Sequence, residues 1–415
     1  MNKIILSLRK KICVCAAILL FTVAIGSAAA LTDKEQLGKS IFFDDKLSIN
    51  ENQACAACHA LEVGWTGPDS EINEHGAVYE GSIIDHFGNR KPPSSGYATQ
   101  SPILNMKDGG VFEGGNFWDG RATGEKLGNP AADQAQGPFL NPNEQALRDS
   151  ACVVYKVFKS DYYDTYQQVW GPIDINWKPN MDNLCKKEGD PIELSPGDRE
   201  KSNATYDNIA LSIAAYEASP EVNQFTSKYD LYLKELTPQE DEGLRLFQGK
   251  GKCGKCHTSS GKKPLFTDYT YDNLGLPQNP ENPAGVAPDF IDLGLGGFLR
   301  TRPEWAQYAD INDGKHKVPT LRNVDLRPDN SDFVKAYGHN GYFKSLKEIV
   351  HFYHTRDVLS KCDEITNPLP GTTCWPDPEV AQNVNTAELG DLGLTMKEEA
   401  AIVAFLKTLS DGYMP

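Results

Sequence analysis

Two five-residue motifs constrain the fold of this chain more than any other feature. Each has the form Cys-x-x-Cys-His, CAACH in the first half and CGKCH in the second, and together they contribute Cys55, Cys58, His59, Cys253, Cys256 and His257. The spacing is typical of c-type haem attachment, because two thiols bond the vinyl groups of one porphyrin while the adjacent imidazole binds its iron. A thioredoxin-like motif or a zinc site would need no trailing histidine. The chain is therefore predicted to carry two covalently bound haem c groups.

The sequence before each motif is repeated. LTDKEQLGKSIFF, from residue 31, matches LTPQEDEGLRLFQ, from residue 236, at its Leu-Thr, Glu, Gly and aliphatic-Phe positions. Both copies contain a capping box, Thr32 with Glu35 and Thr237 with Glu240, so each copy is predicted to open a helix. In the second copy Pro238 occupies the first helical position, where its missing N–H costs nothing.

A further helix is expected to close each repeated unit. YDNIALSIAAYEAS, from residue 206, places Ile209, Ile213 and Tyr216 on one helical face, and LTMKEEAAIVAFLKTLSDG opens on a capping box and stops at Gly412. The predicted fold is mainly α, with two tandem cytochrome c-like haem domains at residues 31–235 and 236–415. Long loops are expected, with a large insertion in the first domain at residues 60–200.

Residues 1–30 have the pattern of a secretory signal peptide, with a basic start, an apolar run and a small-residue SAAA ending. The alternative is an uncleaved anchor, but the run is short for the roughly 20 residues of a membrane span. Removing the four positive charges of this segment from the formal net charge of −16 leaves −20. That charge disfavours nucleic acid and suits a basic protein partner, or serves solubility alone. We expect a periplasmic protein with no membrane span after cleavage.

Six cysteines lie outside the two motifs. Cys13 and Cys15 leave with the signal peptide, and the mature chain keeps Cys152, Cys185, Cys362 and Cys374. In an oxidising compartment four such cysteines suggest two disulfides, for which three pairings are possible. Closeness in sequence favours Cys152 with Cys185 and Cys362 with Cys374, and free thiols are the alternative.

Four further motifs establish a family resemblance. NFWDGRA, QAQGPFLNPNE, VPTLRNV and GHNGYFKSLKEIVHFY occur in this order around the two CxxCH motifs. Over essentially the whole mature chain this pattern resembles the bacterial di-haem cytochrome c peroxidase and MauG family. The resemblance implies a peroxide-reactive N-terminal haem and an electron-transferring C-terminal haem. It places Trp118 between the haems, where the alternative is an ordinary core indole, and Gln134, Pro138 and Glu144 in the peroxide pocket.

The resemblance also assigns roles in that pocket. Glu144 would move a proton from the near to the far oxygen of peroxide, and Gln134 would orient the peroxide as a neutral donor. Without the resemblance, Glu144 could simply decorate a helix start. Classical members take a sixth iron ligand from a loop in which this chain has His75 and His86. Neither keeps the family spacing to the segment that reads NRKPP here, so we expect neither to bind iron.

The stretch SLKEIVHFYHTRD, residues 345–357, contains the candidate ligand of the second iron. Ser345 and Glu348 are predicted to form a capping box that opens a helix at residue 346. One face of this helix then carries Leu346, Ile349, Val350 and Tyr353. His354 lies on the flank of that face and His351 almost opposite.

The family resemblance points to the same residue. Peroxidases of the family carry an axial methionine fourteen positions after the histidine that corresponds to His339, and MauG carries a tyrosine there. In this chain the position holds Tyr353. The alternative is a buried tyrosine whose hydroxyl is hydrogen-bonded, and Met396 and His354 are spare candidates for the axial position.

Tyrosine in place of methionine would give the iron an anionic oxygen ligand, which favours ferric and higher oxidation states. This choice favours MauG-like chemistry, in which hydrogen peroxide oxidises both haems and they withdraw electrons from a residue of a protein substrate. One alternative is a cytochrome c peroxidase that takes electrons from a small cytochrome or cupredoxin. Another is a two-haem electron carrier that catalyses nothing.

Family members also hold a calcium ion between their domains through an asparagine and backbone carbonyls. Lys91 stands at the asparagine position, and Val334 and Ala336 stand at the carbonyl positions. The resemblance therefore predicts a Ca²⁺ site, but the lysine at the asparagine position argues against it.

Overall fold

Helices make up most of the regular structure. The computed structural model describes residues 30–283, 290–328 and 332–414, so the predicted signal peptide lies outside the described residues except for its last position. The helices of the described part are α1 Asp33–Phe42, α2 Ser70–Glu74, α3 Pro130–Leu140, α4 Ser150–Phe158, α5 Tyr163–Trp170, α6 Met181–Leu184, α7 Pro196–Glu217, α8 Lys228–Leu231, α9 Pro238–Gln248, α10 Gly294–Leu299, α11 Leu346–Thr355 and α12 Met396–Lys407. The mainly α class is confirmed.

The strands are short and occur in pairs. They are β1 Asn105–Lys107, β2 Val111–Glu113, β3 Tyr271–Asp272, β4 His316–Lys317, β5 Ser360–Lys361 and β6 Cys374–Trp375. β1 pairs antiparallel with β2, β3 pairs antiparallel with β4, and β5 pairs parallel with β6. Among the described residues, no helix is long and apolar enough to cross a bilayer.

The repeated sequences form equivalent helix pairs. α1 and α9 both begin with the predicted capping box. α1 packs against α7, and α9 packs against α12. Gly38 in α1 and Gly243 in α9 occupy matching positions, where a Cβ atom would overlap the backbone carbonyl oxygen of Ser212 or Ala401 respectively. Glycine at these two positions therefore lets the paired helices approach closely.

Two helix boundaries differ from the prediction. α7 begins at Pro196 rather than at Tyr206, because the Ser195 side chain accepts a hydrogen bond from a first-turn N–H and Pro196 suits the first helical position. α12 begins with its predicted capping box but ends at Lys407, before Gly412.

The predicted capping box of α11 is only half formed. Ser345 caps the helix by accepting from the N–H of Glu348. The Glu348 carboxylate, however, accepts from the N–H of Lys344 at 2.6 Å, one residue earlier than a capping box requires. The start at Leu346 is nevertheless as predicted.

Two large hydrophobic cores and two smaller clusters lie among the described residues of the compact unit 31–415. The first core gathers buried residues between positions 37 and 222, largely from α1, α4 and α7. The second gathers residues between 246 and 409, largely from α9, α11 and α12. The domain boundary near residue 235 stays a prediction, and it falls between the two cores in sequence.

Both disulfide pairings are confirmed. Cys152, in α4, is bonded to Cys185, which follows α6, and Cys362 is bonded to Cys374 at the start of β6. The four CxxCH cysteines carry no disulfide.

Candidate functional site

The first CxxCH motif borders an internal cavity in the N-terminal half. Cys58 and His59 line it, and α3 contributes Gln134 from the same wall. Glu144 reaches the cavity from the turn after α3. Pro138 lies in the last turn of α3, and it is not among the described residues that line the cavity. The structure thus brings together Cys58, His59, Gln134 and Glu144, whereas Cys55, like Pro138, is not among the described residues that line the cavity.

Both motif histidines are held in one orientation by the same device. Nδ1 of His59 lies 3.1 Å from the carbonyl oxygen of Trp65, and Nδ1 of His257 lies 2.7 Å from that of Phe266. A carbonyl can only accept, so Nδ1 carries the proton and Nε2 is left free for a metal. Burial lowers the pKa of His59 to about 4 and also lowers that of His257, so both imidazoles stay neutral.

The two residues that supply these carbonyls have an unusual backbone. Trp65 and Phe266 are buried and have φ values of 62° and 54°, in the left-handed region that bulky residues rarely adopt. The same strained conformation at matching places turns a backbone carbonyl towards each motif histidine. No local pattern in the sequence indicates this feature.

Glu144 has the environment expected of a proton-transfer group. Nδ2 of Asn141 donates to one of its carboxylate oxygens at 2.6 Å. Burial raises the pKa of Glu144, and the hydrogen bond from Asn141 only partly opposes the rise. The residue lies in a turn rather than at a helix start.

A second carboxyl group at this cavity was not singled out from the sequence. Glu217, the last residue of α7, lines the cavity and is 4% exposed. Burial raises its pKa to about 8, so the carboxyl is protonated at neutral pH. Its spacing of four and eight residues from Ile213 and Ile209 was a usable signal, because it places an acidic residue on the apolar face.

The second CxxCH motif borders another cavity, in the C-terminal half. Cys253, Cys256 and His257 line it on one side. The predicted face of α11 lines it too, with Leu346, Ile349, Val350 and Tyr353. Burial raises the pKa of Tyr353 above its ordinary value. The phenol and the motif histidine therefore share one cavity.

The spare candidates for the axial position point elsewhere. Nδ1 of His351 lies 3.0 Å from the Glu399 carboxylate, and Nδ1 of His354 accepts from the N–H of Leu394 at 3.3 Å. Met396 is 82% exposed. Of these residues, only Tyr353 is among the described residues that line the second cavity.

Trp118 lies between the two cavities. Its indole lines both of them, and its Nε1 donates to the carbonyl oxygen of Lys91 at 2.8 Å. Lys91 and Lys317 also line both cavities, and the N–H of Lys317 donates to the carbonyl oxygen of Trp118 at 2.8 Å. The aromatic ring is thus fixed by backbone contacts in a wall that the two cavities share.

His75 and His86 both lie away from the first cavity. The His75 ring is exposed, with Nδ1 3.4 Å from Glu281, and Nδ1 of His86 donates to the carbonyl oxygen of Pro142 at 3.0 Å. Neither is among the described residues that line the cavity. The expectation that neither binds iron stays a prediction.

The residues at the expected calcium position do not fit that ion. Nζ of the buried Lys91 lies 2.9 Å from the Thr66 hydroxyl and 3.0 Å from the carbonyl oxygen of Pro92. Nearby, buried Lys335 donates to three backbone carbonyls, and the Val334 carbonyl already accepts from Asn73. Calcium prefers six to eight oxygen ligands, and two buried ammonium groups would repel it.

The haem expectation, in contrast, fits both cavities. The first presents the thiol of Cys58 and the second those of Cys253 and Cys256, each beside a neutral imidazole whose Nδ1 is hydrogen-bonded, and these are donors that a c-type haem requires.

Comparison with known proteins bears on the same question. A family model described as di-haem cytochrome c peroxidase matches residues 32–237. Methylamine utilization protein MauG of Paracoccus denitrificans (strain Pd 1222) is 32% identical over 386 residues, which cover 90% of this chain and 88% of that protein. Cytochrome c551 peroxidase of Pseudomonas aeruginosa is 28% identical over 323 residues, covering 76% and 70%.

A solved structure agrees with these sequence relationships. The diheme peroxidase BthA from Burkholderia thailandensis E264 superposes with a TM-score of 0.71 at 26% identity, covering 91% of this chain and 86% of that one. Similar sequence along nearly the whole chain, the shared fold and the paired CxxCH cavities lead to one conclusion: the protein belongs to the di-haem cytochrome c peroxidase and MauG family and is a haem oxidoreductase.

Proposed function

We propose that this protein is an exported enzyme of the MauG-like branch. Hydrogen peroxide would react at the first of two covalently attached haems, and the electrons would come from a residue of a protein substrate by way of the second. The observation that carries the proposal is the position of Tyr353, in the wall of the same cavity as His257. The signal-like pattern of residues 1–30 supports a periplasmic location.

When bound, each haem supplies an iron that exchanges single electrons. The chain's own residues would do the rest at the first cavity. Glu144 takes a proton from the near oxygen of peroxide and returns it to the far oxygen, while Gln134 donates a hydrogen bond that orients the molecule. The overall reaction consumes two electrons and two protons and converts one peroxide to two waters. Trp118, in the shared wall, shortens the path that electrons take between the sites.

At the second cavity, His257 and Tyr353 would hold the haem iron. An anionic oxygen ligand stabilises oxidised iron more than a methionine sulfur does. This site would therefore retain an oxidising equivalent rather than act as a high-potential electron store. The buried phenol would lose its proton to the charge of the metal. This property favours slow oxidation of a protein residue over rapid turnover of a small cytochrome.

A peroxide titration tests the proposal. Purified holoprotein is titrated with hydrogen peroxide, with and without a reduced small cytochrome, while the haem absorption is recorded. We expect an oxidised state that persists in the presence of the cytochrome. Rapid catalytic oxidation of the cytochrome would instead support a cytochrome c peroxidase, the activity in the name of the relative from Pseudomonas aeruginosa. No spectral response to peroxide would leave only the electron carrier.

Tyr353→Phe tests the ligand assignment itself. Because the phenol oxygen is removed while the ring is kept, the absorption and electron paramagnetic resonance spectra of the second haem should change. Tyr337→Phe is the matched control, since Tyr337 lines the same cavity but its hydroxyl donates to the carbonyl oxygen of Val324. Identical spectra for wild type and Tyr353→Phe would remove Tyr353 as a ligand.

A further inference from the structure

Four side-chain atoms that can bind a metal ion converge in the wall of the second cavity, which all four residues line. Nε2 of His316 lies 3.4 Å from Oδ2 of Asp292, and Nε2 of His339 lies 4.0 Å from the same oxygen. Nε2 of His339 is also 3.6 Å from Oε2 of Glu379. The two imidazole rings are stacked, with their centroids 3.5 Å apart.

The protonation of His316 follows from its other nitrogen. Nδ1 lies 3.1 Å from the carbonyl oxygen of Gly314, which can only accept, so Nδ1 carries the proton and Nε2 presents a lone pair. Neither Nε2, of His316 or of His339, has a hydrogen-bond partner among the described residues. Both histidines are more than nine-tenths buried, at 9% and 8% exposure, so bulk water does not satisfy these atoms.

The charges around the cluster do not supply the missing cation. Arg90 binds both oxygens of Asp292 and one of Asp119, and Arg121 binds Asp119 as well. These two cations balance the two aspartates. Glu379 remains, and among the described residues its other oxygen accepts from the N–H of Asp292. The Glu379 carboxylate, the Nε2 lone pair of His316 and the unpartnered Nε2 of His339 therefore lie together in a buried place.

We propose that Asp292, His316, His339 and Glu379 form a binding site for a divalent first-row transition-metal ion such as Zn²⁺. Two imidazole nitrogens and two carboxylate oxygens are a typical donor set for such ions. Zinc–ligand bonds of about 2.0–2.1 Å in tetrahedral geometry place the ligands roughly 3.3 Å apart, close to the spacings found here. Three of the four ligand atoms, from the aspartate and the two histidines, already lie within 4.8 Å of one another.

The cluster also has the surroundings of a metal site. The carbonyl of Gly314 orients one imidazole, and Arg90 and the N–H of Gly294 hold the Asp292 carboxylate. The ligands come from β4, from the loops before α10 and α11, and from the loop after β6. A bound ion would therefore tie four separate segments together at the wall of the second cavity.

Zinc binding to the holoprotein tests the site. Protein with both haems attached is stripped with EDTA, titrated with ZnCl₂ by calorimetry, and analysed for zinc by mass spectrometry, which counts zinc separately from haem iron. We expect one equivalent of zinc per chain. His316→Phe, which keeps a planar ring, should weaken binding at least tenfold. Anomalous scattering at the zinc edge should place the ion between the four side chains.

Two further variants keep the test decisive. Glu379→Gln preserves shape and should also weaken binding, which matters if His316→Phe folds poorly. His351→Phe removes an imidazole–carboxylate pair elsewhere in the protein, with Glu399, and should leave the titration unchanged. No saturable uptake, or uptake that His351→Phe abolishes and His316→Phe does not, would overturn the proposal. None of these outcomes depends on peroxide reactivity, so the site and the proposed function are tested separately.

Discussion

Among single residues, two carboxyl groups at the first cavity stand out, because they share a cavity but differ in their partners. Glu144 accepts a hydrogen bond from Asn141. Glu217 is buried at the end of α7, and no side-chain hydrogen bond to its carboxyl is found among the described residues. Burial raises the pKa of both, and to about 8 for Glu217. The first group is placed for proton transfer, and the second is a neutral acid at pH 7.

Glu144→Gln should slow the reaction with peroxide by a factor of about 10² to 10⁴, the usual contribution of an acid–base group. The amide keeps the hydrogen bond with Asn141 in reach but cannot take a proton from peroxide. In wild type the rate should fall as the pH is lowered through the raised pKa of Glu144, and the variant should lose this dependence. Stopped-flow haem absorption measures both. Exposed Glu62→Gln is the control, and an unchanged rate in Glu144→Gln would exclude the role.

Glu217 should make folding pH-dependent. Its pKa is about 8 in the folded protein and 4.5 as an ordinary glutamate, so the folded state binds more protons between these values. The free energy of unfolding should therefore fall as the pH rises from about 5 to 8, by a few kcal/mol. In Glu217→Gln this part of the slope should disappear.

Urea denaturation of the holoprotein across this pH range measures the Glu217 effect. Exposed Glu71→Gln should keep the wild-type slope. Equal slopes for wild type and Glu217→Gln would mean that the buried carboxyl finds a partner that lowers its pKa.

Among helices and strands, the repeated contact of α1 with α7 and of α9 with α12 requires glycine at one position of each pair. Gly38→Ala or Gly243→Ala should lower the free energy of unfolding by about 1–3 kcal/mol, because the new methyl group meets a backbone carbonyl of the partner helix. The loss should exceed the gain of up to about 1 kcal/mol in helix propensity. Gly197→Ala is the matched control.

Gly197 lies in the first turn of α7, with no atom within 4 Å of the position of a Cβ. Its replacement by alanine should therefore be neutral or stabilising. Denaturant unfolding of the three variants measures the difference. If Gly38→Ala proved as stable as Gly197→Ala, α1 and α7 could move apart without loss of free energy of unfolding, and the close contact would not require glycine.

Helices with local start signals were predictable from sequence. The capping boxes of α1, α9 and α12 act within four residues, and all three are formed. The start of α7 was missed because the periodic apolar face begins only near Tyr206, although Ser195 and Pro196 form a start signal ten residues earlier. At α11 the carboxylate of Glu348 had two nearby N–H groups to choose from, and a four-residue pattern does not distinguish them.

For the molecule as a whole, the wall between the two cavities carries a lysine, Lys91, at the position where a calcium ligand is expected from the family resemblance. Wild-type holoprotein should bind no calcium there, because Lys91 and Lys335 place two buried ammonium groups at the position. Lys91→Asn removes one charge and adds an oxygen ligand, so its affinity for calcium should exceed that of wild type. Calorimetric titration with CaCl₂ compares the two, with Lys347→Asn as an exposed control. A single calcium ion bound by wild type would contradict this interpretation.

The two haem-attachment motifs were predictable because their ligands are adjacent in sequence. The positions of Trp118, Gln134 and Tyr353 at the cavities came from family resemblance, and the structure places all three there. The cluster of Asp292, His316, His339 and Glu379 was not predictable, since it joins segments up to 87 residues apart. Such convergence depends on packing over the whole chain, which no local pattern encodes.

The shared wall also affects how spectra of this protein can be assigned. Lys91, Pro93, Ser94 and the indole of Trp118 line both cavities, so a substitution or isotopic label placed there should perturb both haems at once. Probes that report on one centre belong at residues that line a single cavity, such as Gln134 for the first and Ile349 for the second. Any cooperativity between the centres would then appear as a response of one probe to a change made beside the other.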